Sequence, residues 1–148
     1  MPKIDIDRVV DRKGSQYPEP FRNKAKNRTK QRLGEAVGLE DFGVNLVRLP
    51  PGEWSSQRHW HSHEDEFVYV LEGAITLVTD AGEEVLHAGD CAAFPKATPD
   101  GHNLINKSVA DAVYLEIGSR HHKDVTEYPD VDLRFAGQTY TRKDGRPY

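Results

Sequence analysis

The residues of this chain best suited to chemistry lie in one octapeptide, His59-Trp60-His61-Ser62-His63-Glu64-Asp65-Glu66. Three of the seven histidines fall within five positions, and carboxylates follow at once. Imidazole nitrogen and carboxylate oxygen are the ligands of first-row divalent metals. In an extended segment, side chains two apart share a face, so His59 and His61 turn the same way and Trp60 turns the other. Glu66 opens the next apolar run and can bring an oxygen beside the two imidazoles. His63 has the same parity, but Glu64 and Asp65 follow it, and it reads as a solvent-facing or supporting residue.

The elements that must position these groups are short. From Gly43 onward, apolar runs at 44–49, 67–71, 74–79, 84–87, 91–95, 102–105 and 112–117 alternate with turn signals. Pro50-Pro51-Gly52, Glu72-Gly73, Asp80-Ala81-Gly82, Ala88-Gly89-Asp90 and Pro99-Asp100-Gly101 supply those turns. Strands broken at this spacing predict an all-β antiparallel sandwich or barrel. Residues 1–42 show no lasting apolar period and are expected to form an N-terminal arm. Residues 43–118 form the barrel, and 119–148 a C-terminal extension packing on it, with an extended strap around Tyr128-Pro129.

Gly52, His59-x-His61, Glu66 and Gly73 together resemble the first sequence motif of the cupin superfamily. Gly89-Asp90-Cys91-Ala92-Ala93-Phe94-Pro95, followed by His102 and Asn106, resembles the second. The likeness spans residues 43–118, and within the superfamily the chain resembles small single-domain bacterial cupins. It implies a double-stranded β-helix (jelly-roll) barrel holding one divalent metal ion through His59, His61, Glu66 and His102. Two departures stand out. Six residues rather than five separate Gly52 from His59, and the second motif has Ala97 where a glycine is expected, with His102 two positions late behind the turn at Pro99-Asp100-Gly101.

Three imidazoles and one carboxylate suit Fe, Mn, Ni, Co or Zn, and do not choose among them. Four protein ligands on an octahedral ion leave two positions for water, substrate or oxygen. The expected function is metal-dependent chemistry on a small organic substrate, either dioxygenase-type or Lewis-acid isomerase or lyase chemistry. The alternative is a non-catalytic cupin that binds or senses a small ligand. No catalytic residue is evident; His63, Asp100, Tyr69 and Tyr114 are the candidates for a general base. Because imidazole binds metal only when neutral, the metal should leave as the pH falls toward about 5.

Composition narrows the class further. The chain has 148 residues, 36% apolar and 30% charged, enough for one self-sufficient core. Its single cysteine, Cys91, allows no intrachain disulfide, suits a reducing compartment and reads as a buried strand residue. The charged first residues carry no apolar leader, and no run approaches the ~20 apolar residues of a membrane span. A cytoplasmic protein is expected, with no membrane association. The net charge of −4 gives no general attraction to nucleic acid. One segment dissents: Arg22, Lys24, Lys26, Arg28, Lys30 and Arg32 alternate with no acid between them. Without interleaved aromatics they read as a solvated arm rather than a nucleic-acid face. His87, His121 and His122 read as isolated surface residues. Nucleophile-elbow, phosphate-loop and dinucleotide motifs are missing, and Phe67 stands where a zinc-protease helix needs its second histidine. Exposed sheet edges and the arm predict a homodimer with the N-terminal segment in its interface.

Overall fold

The structure, a computed structural model, describes residues 2–148. Its strands are β1 (Asp11–Lys13), β2 (Thr29–Arg32), β3 (Phe42–Leu49), β4 (Trp60–His61), β5 (Glu66–Glu72), β6 (Ala74–Thr79) and β7 (Gly82–His87). They continue with β8 (Cys91–Phe94), β9 (Asn103–Ile105), β10 (Ala112–Ser119), β11 (Val125–Tyr128), β12 (Leu133–Ala136) and β13 (Thr139–Thr141). A single helical turn, α1 (Leu33–Ala36), links β2 to β3. The fold is all-β, a double-stranded β-helix.

One sheet runs β1-β2-β3-β10-β5-β8. Facing it are the sheets β13-β12-β11-β4 and β7-β6-β9. The bridge His59↔His102, just before β4 and β9, joins these two along a seam, and Trp54↔Ile105 extends it. The alternation along each strand explains which face is inward. Val47 and Leu49 of β3 are buried while Arg48 between them is exposed; Val68 and Val70 of β5 flank the exposed Tyr69. In register, Tyr114 lies opposite Val47 on one side and Val70 on the other.

These inward residues, with Ile75, Leu77, Leu86 and Leu104, fill one end of the barrel. Toward the other end the same inward rows become polar: Lys30 lies opposite Val47, Glu116 opposite Val68, and Glu66 opposite Phe94. A smaller apolar cluster of Tyr17, Tyr128 and Leu133 fastens the N-terminal segment to the C-terminal one. At the corner between β5 and β6, Gly73 has φ 77°, and a Cβ there would stand 2.6 Å from the Asp111 carbonyl oxygen. Only glycine fits this turn.

All seven apolar runs are strands, β3 and β5 to β10. Six strands have no counterpart among those runs: β11, β12 and β13 bury only scattered residues on the smaller cluster, and the others carry no apolar row. β1 is exposed throughout and β2 reads Thr-Lys-Gln-Arg. Both nonetheless extend the six-stranded sheet of their own chain, β2 pairing with β3 from Thr29↔Arg48 to Arg32↔Asn45. Cys91 corrects an expectation: it is exposed. It stands opposite the outward-facing Tyr69, while the next residue, Ala92, packs on the core. Alternation outweighs the apolar character of its neighbours. Among the described residues, no helix is long and apolar enough to cross a membrane.

Candidate metal centre

Four polar side chains meet at the open end of the barrel. His59 and His61 flank Trp60 on one side of the seam. Reciprocal backbone hydrogen bonds between His59 and His102, at 3.1 and 2.9 Å, bring the third histidine across from them. Glu66 arrives from the facing sheet at the start of β5. Its Oε2 is the point of convergence: His102 Nε2 lies at 2.7 Å, His59 Nε2 at 3.3 Å and His61 Nε2 at 3.4 Å. The donor atoms of His59, His61 and Glu66 all lie within 4.8 Å of one another, so one cation could be shared among them.

The outer nitrogens show how the rings are aimed. His61 Nδ1 is 2.7 Å from Asp124 Oδ2, and His59 Nδ1 is 2.9 Å from the Gln57 carbonyl oxygen. An Nδ1–H donated outward leaves the Nε2 lone pair pointing inward, the tautomer that metal-binding histidines need. The His102 ring stacks on Phe94, with centroids 3.6 Å apart and planes within 2°. Its buried Nδ1 has no partner, and its Nε2–H donates to Glu66. The donors of His59, His61 and Glu66, with the outward supports of the two histidines, fit a divalent ion; His102 stands beside that group on Glu66.

Electrostatics ties the cluster together. Burial disfavours charge on His61, yet Glu66 on one side and Asp124 on the other outweigh it and raise its pKa to about 9. Burial also pushes the His102 pKa down, and there Glu66 does not fully compensate. Burial alone would raise Glu66, but the surrounding histidines hold its carboxyl well below the usual range. Without a cation, an imidazolium at His61 would lie between the carboxylates of Glu66 and Asp124. A second group, His61, Glu64 and Asp124, has the spacing to hold a cation but shares His61 with the first.

The cluster lies on the wall of a cavity of about 470 Å³. Tyr17, Tyr128 and Tyr140 line another part of it, and Arg12, Lys30 and Arg32 of the hairpin complete it. Burial raises the pKa of all three tyrosines, so their hydroxyls stay protonated. Among the general-base candidates, only Tyr114 lines this cavity. Tyr69 points outward, Asp100 accepts a hydrogen bond from the Asp80 amide at 2.8 Å, and His63 stacks on His121 with centroids 5.0 Å apart. His121 and His122 are therefore not isolated; they form a stacked surface row with His63. Asp124 and Glu116 were missed by sequence reasoning, since neither belongs to a motif and both are placed by strand pairing.

The departure at Ala97 is only a side-chain difference. Ala97 has φ 59°, the left-handed conformation glycine favours, and its amide donates to the His61 carbonyl at 2.8 Å. Ala97→Gly is expected to stabilise the protein by about 1 kcal/mol by relieving that strain. A melting temperature at or below that of the parent protein would contradict it.

A β-helix with imidazoles and a glutamate converging at its open end is the architecture of cupins. The chain belongs to the cupin family: the cupin domain model matches residues 45–118. Among solved structures, a sugar phosphate isomerase of the cupin superfamily from Silicibacter pomeroyi is 46% identical. That match covers 99% of this chain and 96% of the other, with a TM-score of 0.93. A protein from Acidithiobacillus ferrooxidans with a provisional sugar phosphate isomerase assignment is 33% identical over 78% of this chain and 74% of its own, with a TM-score of 0.72. The polyketide cyclase RemF from Streptomyces resistomycificus shares the fold, at 21% identity over 80% of this chain and 79% of its own, with a TM-score of 0.63. No curated protein matches the chain.

Proposed function

We propose that this protein is a metal-dependent enzyme of the Lewis-acid type that isomerises a small hydroxylated carbonyl compound, a sugar phosphate being the first candidate. The observation that carries the reading is the convergence of three imidazole nitrogens on Glu66 Oε2 at the wall of a substrate-sized cavity. The 46% identical sugar phosphate isomerase favours this branch over dioxygenase chemistry. His59, His61 and His102 would hold the ion through Nε2 and Glu66 through an oxygen. When bound, it would polarise a carbonyl and favour loss of a proton from the neighbouring carbon.

The protein's own groups would do the rest. The tyrosine hydroxyls at 17, 128 and 140 offer hydrogen bonds to substrate hydroxyls. Glu116, the other carboxylate lining the cavity, is held by Lys30 at 3.0 Å and stands diagonally across the sheet from Glu66. In this reading it would take a proton from one carbon and return it to the next. The test is metal analysis of protein purified without chelator, followed by incubation with sugar phosphates in deuterated water. Bound divalent metal and deuterium entering the carbon skeleton are expected; a metal-free protein that exchanges no carbon-bound hydrogen would overturn the reading.

A homodimer is part of the proposal. The outer face of the six-stranded sheet carries Leu46, Leu115 and Tyr69 in one register row, with Tyr69 and Leu71 about 40% exposed. A second copy would cover this face. Because β2 pairs within its own chain, deleting the arm would damage the barrel, and Tyr69→Lys with Leu71→Lys is the cleaner probe. Light scattering should show monomers, and a parent protein that is itself monomeric would refute the dimer. The exposed Cys91 thiol fits a reducing compartment, and a cytoplasmic location belongs to the same reading.

A further inference from the structure

The alternating basic residues at 22–32 are not a free arm. Residues 23–25 form a short 3-10 turn and only 29–32 are extended, as β2. Arg28, Lys30 and Arg32 share the parity of that strand and all line the cavity. Arg12 of β1 sits directly opposite Lys30, and Lys13 at the end of β1 lines the cavity as well. Five cationic side chains thus surround one cavity in a protein of net charge −4.

Their local partners do not neutralise them. Lys30 is matched by Glu116 at 3.0 Å. Glu35 is shared between Arg32 at 3.1 Å and Arg12 at 3.7 Å. Arg28 donates its terminal nitrogens to the carbonyls of Ser55 and Gly14, which leaves its charge uncompensated and its buried Nε without a partner. Lys13 has no carboxylate within ion-pair distance among the described residues. A concave site lined by excess charge of one sign focuses its field and concentrates the opposite ion.

We propose that the β1–β2 hairpin is the anion subsite of this cavity, taking the phosphate of a small phosphorylated substrate whose other end reaches His59, His61, Glu66 and His102. The inference rests on the reading that the cavity binds a small organic molecule, and it deepens that reading. A cavity of about 470 Å³ falls within the roughly 300–1,000 Å³ usual for small-molecule sites. Cations arriving from two strands suit a phosphate dianion with three acceptor oxygens better than a carboxylate with two. Lys30 is largely covered, and Arg12, Lys13 and Arg32 stand at the cavity's exposed rim; all five border this one concavity, which favours a small anion over an extended nucleic-acid backbone.

The experiment is calorimetric titration of the full-length protein with a hexose 6-phosphate, the unphosphorylated hexose, the matching uronate and inorganic phosphate. The hexose phosphate is expected to bind at least about tenfold more tightly than the hexose or uronate. The double variant Lys13→Gln/Arg32→Gln should lose about tenfold in that affinity, with unchanged metal content and melting temperature. Lys26→Gln, from the same basic run but outside the cavity, should bind like the parent. Equal affinity for the phosphorylated and unphosphorylated sugars, an unaffected double variant, or a single-stranded oligonucleotide displacing the sugar phosphate would overturn the subsite. Binding is read without turnover, so the two proposals fail separately. A protein that binds phosphate through the hairpin yet holds no metal would sink the enzyme reading and leave the subsite standing.

Discussion

Glu66→Gln protein, purified without chelator, is expected to carry under about a tenth of the metal of the parent and to bind added divalent ions more than about 100-fold more weakly. The carboxylate is the one anion that all three Nε2 atoms approach, and an amide offers no charge to a cation in a buried place. Asp124→Asn tests the layer behind it. Asp124 holds His61 Nδ1 from outside, so the amide should weaken metal about 10- to 100-fold while leaving the four inner side chains in place. If both variants bind metal as tightly as the parent, as measured by competition with a chromogenic chelator, the candidate centre is not the metal site.

The second large effect is an opposite response to pH with and without metal. In the metal-free protein, His61 has a pKa raised to about 9 from an unfolded value near 6.5. A raised folded pKa contributes stability that is fully present below the unfolded pKa and is lost as pH rises through the folded one. The His61 contribution to metal-free stability should therefore decline from about pH 6.5 to 9. Metal competes with that same proton, so affinity should rise as the proton leaves, by up to tenfold per pH unit below about 9. Between pH 6 and 8 the gain approaches 100-fold, and uptake at pH 7.5 should release about one proton. Melting curves across this range, and calorimetry in buffers of different ionisation enthalpy, check both signs. Affinity that is flat from pH 6 to 8 would refute the coupling. Weakening thus sets in well above the pH of about 5 expected from an ordinary histidine, because two carboxylates grip the His61 ring.

How much of this was legible follows from what each residue does. That His59 and His61 share a face could be read from parity, and that Glu66 and His102 meet them from the motif resemblance, since both are local properties that the strands merely carry out; their holding a metal belongs to the proposal. The seven apolar strands were legible because one side of each fills the core. β2 was not: its inward face meets a charged cavity, so it lacks the alternation that marks a half-buried strand. Asp124 was hidden for another reason. It lies 63 positions from His61, and only the pairing of β11 with β4 brings the two together. Ala97 looked like a defect in a motif, yet the backbone holds the left-handed turn without the glycine.

The two apolar clusters are unequal, and the difference governs how the centre can come apart. The larger one closes the far end of the barrel, while Tyr17, Tyr128 and Leu133 pin the two chain ends together beside β4. Small peripheral units of this kind open at lower free energy than the main body. Fraying of β11 to β13 would release Asp124 from the His61 ring while the barrel stays closed. The residence time of a captured ion would then be set by breathing of the termini, and would lengthen if those termini were tethered to one another.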